Sequence, residues 1–397
     1  MSWLQCCCTE FVPPTKSSYA VYDSSGSYLY SGPANKDFVP SGGFGDPGKP
    51  AQRAKAIAID ITDNEIYVCP EKDGDGNDVN WITRFDTEAN EVWTVTSGAP
   101  TSVDITLGAN SRTIPAAHFM DSDDSGFLYV WDGATIKQYD PLDGFVNWTY
   151  DFESDRGASN VDAGGITRLR CFGSSVWIGG IADVAGTEPR LHLWEIDNTG
   201  SYVQAFPSGE SGSFSSIGGA YDDPPTETTS LIDYLGDFVI LSSGASYLSF
   251  CTLNSSNVSE LRYINSSGDL LWQRAYNDIL VSDENEGWYV STDDSNVILS
   301  LGPSLQAAGG DGAHVIDNTG SDVRTLTNAG TSIRWLETST GDDTLVSRQG
   351  EDSRILSSGD SVIATALAGG PVSKRAVSNG IAIALASVVD TSTIDGS

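Results

Sequence analysis

Few residue sets in this sequence have the types and spacing that could do chemistry. The first is an oxygen-rich loop. Asp121-Ser122-Asp123-Asp124-Ser125-Gly126 places side-chain oxygens at alternate positions, and Asp132 falls at the twelfth place counted from Asp121. Calcium loops use this spacing because alternate side chains converge on one ion and a glycine permits the sharp turn. Asp121, Asp123, Ser125 and Asp132 are therefore the candidate Ca2+ ligands, although Asp is a weaker last ligand than Glu. A polar hairpin between two strands competes with the calcium loop and is the preferred reading. In a second loop, Asp73-Gly74-Asp75-Gly76-Asn77-Asp78, the twelfth place is Arg84, which cannot ligate a cation. That loop reads as an exposed connection.

The other reactive residue types are scattered. His118, His192 and His314 are far apart in the chain and read as ordinary strand or turn histidines. Cys69, Cys171 and Cys251 each sit in an apolar, strand-like run and read as buried free thiols. Cys6, Cys7 and Cys8 have no partner His or Cys at zinc spacing. No nucleophile elbow, zinc-protease helix motif, phosphate-binding loop or dinucleotide fingerprint occurs. The acids are so numerous that choosing two as a hydrolytic pair would be arbitrary.

Charge narrows the partner classes. Asp and Glu number 54 against 21 Lys and Arg, giving a net charge of -33. Nucleic-acid binding needs clustered cations, so that class is excluded, as is binding to an anionic membrane surface. No apolar run is long enough for a transmembrane helix, so no membrane insertion is expected. A strongly acidic surface suits a saline medium, a divalent cation or a basic partner.

The elements that must position these residues are short strands. Glycine is plentiful at 42 residues, Trp reaches 10, and Met is scarce at 2, a balance that favours strands joined by tight turns over helices. One pattern recurs seven times. A strand ends next to Asp or Asn, a Gly, Asn or Ser turn follows, and a second strand then begins. The copies start at Ala20-Val21-Tyr22-Asp23, Thr83-Arg84-Phe85-Asp86, Lys137-Gln138-Tyr139-Asp140 and Leu193-Trp194-Glu195-Ile196-Asp197. Arg262-Tyr263-Ile264-Asn265 and His314-Val315-Ile316-Asp317 continue the series, and Ile355-Leu356-Ser357-Ser358-Gly359 is a worn last copy. A further strand pair precedes most copies, and four strands per repeat is the blade of a propeller. The expected fold is thus all-β: a single β-propeller of seven four-stranded blades. Complete blades are expected near 55–97, 115–152, 165–207, 230–276, 279–328 and 331–369. The chain opens with an outer hairpin and ends with an inner pair. Residues 18–32 should therefore join residues 372–390 in one closing blade of a domain spanning 18–397.

Asp140…Gly144…Trp148 and Asn265…Gly268…Trp272 resemble the tryptophan-docking repeat of quinoprotein-like (PQQ-like) propellers, and the repeat as a whole is similar to WD-like blades. The resemblance implies that each Trp packs on the neighbouring blade. It also implies a vicinal cysteine pair beside a quinone, but the adjacent cysteines here, Cys6 to Cys8, lie outside the blades. No cofactor is expected, with Ca2+ the one candidate ion.

The favoured function is a non-catalytic structural or binding propeller that mediates protein–protein assembly. Its partners would be other subunits of a large assembly or further copies of itself. Acidic, Ser/Gly-rich β composition suggests a phage or virus virion component, in a tail, a decoration protein or the head–tail region. The alternative is a propeller enzyme, either a quinoprotein-like oxidoreductase or a glycan-cleaving hydrolase. The start, Met1-Ser2-Trp3-Leu4-Gln5, has no basic and apolar signal-peptide pattern, so synthesis in the cytoplasm is expected. Residues 1–17 are expected to form a docking segment in which Trp3, Leu4 and Phe11 bury against a partner. Burying Trp3 alone contributes on the order of 2–3 kcal/mol.

Overall fold

The computed structural model describes residues 17–22, 28–32, 54–60, 62–70, 79–88, 90–107, 110–151, 166–182, 190–206, 233–252, 258–277, 289–300, 313–329, 333–338, 345–349, 352–357, 359–367, 372–377 and 380–389. The expected docking segment with Trp3, Leu4, Phe11 and Cys6 to Cys8 lies outside them, as does the Asp73–Asp78 loop.

β1 (Ser17–Tyr22) and β2 (Tyr28–Gly32) open the described chain. β3 (Ala54–Asp60), β4 (Glu65–Pro70), β5 (Ile82–Phe85) and β6 (Glu91–Val95) form the first meander. A hairpin of β7 (Val103–Leu107) and β8 (Asn110–Ile114) and a 3-10 turn at Ala116–Phe119 follow. The next meander is β9 (Met120–Ser122), β10 (Leu128–Trp131), β11 (Ile136–Tyr139) and β12 (Val146–Tyr150). β13 (Ile166–Phe172), β14 (Ser175–Ala182), β15 (Arg190–Ile196) and β16 (Tyr202–Phe206) make another. β17 (Asp233–Ile240), β18 (Ser246–Thr252), β19 (Val258–Ile264) and β20 (Leu270–Asn277) come after it. Then follow β21 (Tyr289–Thr292), β22 (Asn296–Ser300), β23 (Ala313–Asp317) and β24 (Asp322–Leu326). The last meander is β25 (Ile333–Glu337), β26 (Leu345–Gln349), β27 (Asp352–Leu356) and β28 (Val362–Leu367). β29 (Val372–Val377) and β30 (Gly380–Val389) end the described chain.

Among the described residues these strands form seven four-stranded sheets, and β7–β8 pair separately. Six sheets are antiparallel meanders in chain order. The seventh has the order β2-β1-β30-β29, with Ala20 opposite Leu385 and Val21 opposite Ala384. The two ends of the described chain therefore share one blade, as the split hairpins require. First strands touch first strands in a closed ring: β3 meets β9, then β13, β17, β21, β25 and β29, which returns to β3. Such a ring of sheets is a β-propeller. The β7–β8 hairpin is an element the repeat did not foretell, since it interrupts the path between two blades.

Burial follows position within the blade. First and second strands lie between neighbouring sheets and are covered on both faces, so they read as continuous apolar runs. Ile57-Ala58-Ile59 of β3 and Leu128-Tyr129-Val130-Trp131 of β10 are buried at every position. Fourth strands stand at the rim, and β24 buries only Leu326.

The third-to-fourth strand turn has one construction in the hairpins headed by Asp86, Asp197, Asn265 and Asp317. Its head residue, Asp or Asn, accepts backbone N–H bonds from the residues two and four places on. Asp197 takes Thr199 N at 2.8 Å and Ser201 N at 2.9 Å, and Asp317 does the same with Thr319 and Ser321. The third residue after the head must then turn left-handed, and Gly200 does so at φ +81°. A bulge follows in each of these hairpins, which suits a turn ending in a left-handed residue. In the worn copy Asp360, not Gly359, takes this place, at φ +66°. Asp tolerates the left-handed region better than most residues.

Candidate functional site

The four expected calcium ligands do not converge. Asp121 lies on β9, Asp123 and Ser125 in the turn to β10, and Asp132 beyond the opposite end of β10. The Asp123 and Asp132 carboxylates serve local purposes. Asp123 accepts Ser125 N at 2.9 Å, Phe127 N at 3.0 Å and the Tyr129 hydroxyl at 3.0 Å. Burial raises its pKa, and these donors pull against that rise. Asp132 accepts Ala134 N and Thr135 N and pairs with Lys137. Partial burial opposes ionisation there, but Lys137 and the backbone donors outweigh it and its pKa falls. Among the described residues no three His, Cys, Asp or Glu side chains gather as a metal site.

The loop instead clasps three blades together. Gly126 lies against the Asp60 carboxylate of the preceding blade, where an added Cβ would come within 2.5 Å of an oxygen. Its carbonyl accepts the Tyr67 hydroxyl at 2.6 Å, and the Ser122 hydroxyl donates to Ile59 O. On the other side Asp121 accepts Cys171 N of β13 at 2.8 Å, and Asp124 N donates to Gly173 O at 3.3 Å. Gly126 and Asp121, which suggested a calcium loop, thus serve contacts between blades, while Asp123 holds the turn itself.

Two buried charge clusters do related work. Arg84 pairs with Asp60 at 2.7 Å, Asp63 at 2.9 Å and Glu65 at 2.8 Å, and it also donates to Pro141 O in the next blade. Nearer the axis, Asp237 of β17 is fully buried and holds Arg168 and Arg170 of β13 at 3.0 and 2.9 Å. Asp237 further accepts Val290 N of β21 at 3.2 Å. Burial disfavours its charge, but the two guanidinium groups outweigh this and lower its pKa. His118, in the 3-10 turn, packs edge-on to Tyr289 with ring centroids 5.7 Å apart. Burial, reinforced by Arg168, lowers its pKa well below 6.5. A buried charge held by several donors is costly to break, so these clusters fix the blades to one another. Sequence reading missed Arg168, Arg170 and Asp237. The available signal was a charge inside an otherwise apolar strand.

The three histidines remain apart in the repeat, with His118 before a first strand and His192 and His314 on third strands. Cys69 and Cys171 are buried thiols.

The rim is built by tryptophans. Trp93, Trp148 and Trp272 each lie over the turn of the next blade. Their indole N–H groups donate to Pro141, Asn198 and Asn318 carbonyls at 2.8, 3.0 and 2.8 Å. The rings cover Gly144, Gly200 and Gly320, where an added Cβ would lie 2.8, 2.9 and 3.1 Å from ring atoms. Trp148 and Trp272 thus pack on neighbouring blades, and Trp93 does the same. The preceding residue on each fourth strand points to the other sheet face. At the position before the Trp, or its equivalent, Val92, Val203, Leu271 and Val323 are 42%, 48%, 54% and 54% exposed.

No protein-family model matches the chain, and no curated protein matches it. Among solved structures it is similar to BamB from Moraxella catarrhalis, at 14% identity over 94% of this chain and 92% of that one, with a TM-score of 0.41. It is also similar to BBS1N in complex with ARL6DN, at 9% identity over 84% and 92% of the two chains, with a TM-score of 0.44. A protein of unknown function from Bacteroides caccae matches at 11% identity over 71% and 88%, with a TM-score of 0.40. The ring of four-stranded sheets, closed by β1 on β30, makes this chain a β-propeller.

Proposed function

We propose that this propeller is a non-catalytic binding and assembly module that holds other protein subunits, as a component of a virion. The observation that carries the reading is the repeated exposure of Val92, Val203, Leu271 and Val323 at one rim position of four blades. A single exposed aliphatic residue is ordinary, but the same position left open in four blades, with Asn147 in the blade between Val92 and Val203, offers a repeated apolar surface. Covering half of one such side chain contributes on the order of 1 kcal/mol, and four act together. Asp60, Arg84, Asp121 and Asp237 join blades, and that role needs no substrate. No cofactor belongs to this reading.

The test is the size of the protein in material from its native source, measured by native mass or imaging. The expected result is a large particle. Val203→Asp, Leu271→Asp and Val323→Asp combined should release single folded chains with little change in melting temperature. A single chain in the native material, with quinone absorbance or dye-linked dehydrogenase activity, would overturn the proposal.

A further inference from the structure

One turn on the rim departs from all the others described. At the position two residues after the turn's head residue, the other blades carry Glu88, Thr199, Ser267, Thr319 and Gly359. At the position just before the fourth strand's pairing they carry Asn90, Ser201, Asp269, Ser321 and Ser361. In the turn between β11 and β12 these two places hold Leu142 and Phe145, which are 80% and 73% exposed. The turn is also one residue longer. Asp140 N bonds Phe145 O, where Asp197 N bonds Ser201 O.

This turn is held rigidly. The Trp93 indole and the Arg84 guanidinium both donate to Pro141 O. Leu142 N bonds Asp140 at 2.8 Å, Phe145 N bonds Asp143 at 3.0 Å, and Gly144 sits beneath the Trp93 ring at φ +73°. Two large apolar side chains are thus displayed from a backbone that loses little entropy on binding, which is the character of an interface anchor. Val146, the first residue of the edge strand β12, continues the apolar surface at 44% exposure.

Charge selects the occupant. Asp140 and Asp143 lie within the turn, and Asp63, half exposed, stands at the same blade junction through Arg84. A second copy would set these acids against themselves, on a chain whose net charge is -33. The geometry points to a partner of opposite character: a short segment of another protein that carries Lys or Arg around one or two large apolar residues and packs on Leu142 and Phe145. This rests on the binding reading above and names one anchor on the rim and the chemistry that fits it.

The probe is a displayed library of 12-residue peptides selected on the intact chain, followed by titration of the selected synthetic peptides. The library should yield Lys- or Arg-flanked aliphatic or aromatic sequences. Leu142→Thr with Phe145→Ser copies the polar turn of Thr199 and Ser201. It should leave the melting temperature unchanged and weaken the selected peptides by about tenfold or more, the scale of an anchor residue. Raising salt should weaken them as well. Three results would overturn the inference: no selected peptide, acidic or neutral peptides, or equal binding to the double variant. Self-association that the double variant abolishes would overturn it in favour of a second copy. Release from the native particle by Val203→Asp, Leu271→Asp and Val323→Asp, with no effect of the turn substitutions on peptide binding, would reject this anchor and leave the assembly reading standing.

Discussion

Asp123 shows how one side chain can satisfy two descriptions. Its place in an alternating acidic loop fits a cation ligand, yet its oxygens accept two backbone N–H groups and the Tyr129 hydroxyl. Asp123→Ala leaves three donors without their acceptor in a buried turn. The expected loss is about 2–4 kcal/mol, since each buried donor left unmade costs about 1–3 kcal/mol and relaxation recovers part. The loss should be equal in millimolar calcium and in chelator, as read from urea unfolding. A calcium-dependent gain in the wild type that Asp123→Ala abolishes would restore the ion-binding reading.

At the scale of the element, the repeated unit is a tryptophan on one blade and a glycine turn on the next. Gly200 is required twice, by its φ of +81° and by the Trp148 ring within 2.9 Å of any added Cβ. The two requirements separate experimentally. Gly200→Ala should cost about 2–3 kcal/mol in the wild type, but only the left-handed backbone part of about 1 kcal/mol in a Trp148→Ala background. Equal costs in both backgrounds would mean that the ring does not press on the turn. Gln204 and Arg324 occupy the Trp position in two other blades, so the interlock is not uniform around the ring.

For the whole molecule the decisive contact is β1 against β30. A ring of sheets with one gap exposes strand edges that invite pairing with other chains. A chain ending at residue 371 lacks β29 and β30 and should leave the long edge of β1 open. The expected outcome is association during size-exclusion chromatography and rapid proteolysis, where the intact chain resists both. A monomeric truncated chain with the same melting temperature would show that closure contributes little.

The sequence by itself determined what depends on near neighbours. An Asp or Asn at the head of a turn builds it from bonds that span only a few residues, so the hairpins beginning at Asp86, Asp140, Asp197, Asn265 and Asp317 were readable directly. Closure was readable too, because an outer hairpin without an inner pair has few places to go. The tertiary structure alone decided what depends on another blade. Asp237 finds Arg170 from 67 residues away, and Arg170 reaches Val290 across 120. Nothing local to Gly126 announced that it had to fit beneath Asp60. Likewise Val203 and Val130 are the same residue type, each within a short strand. One is half open and the other buried because a neighbouring blade covers one and not the other.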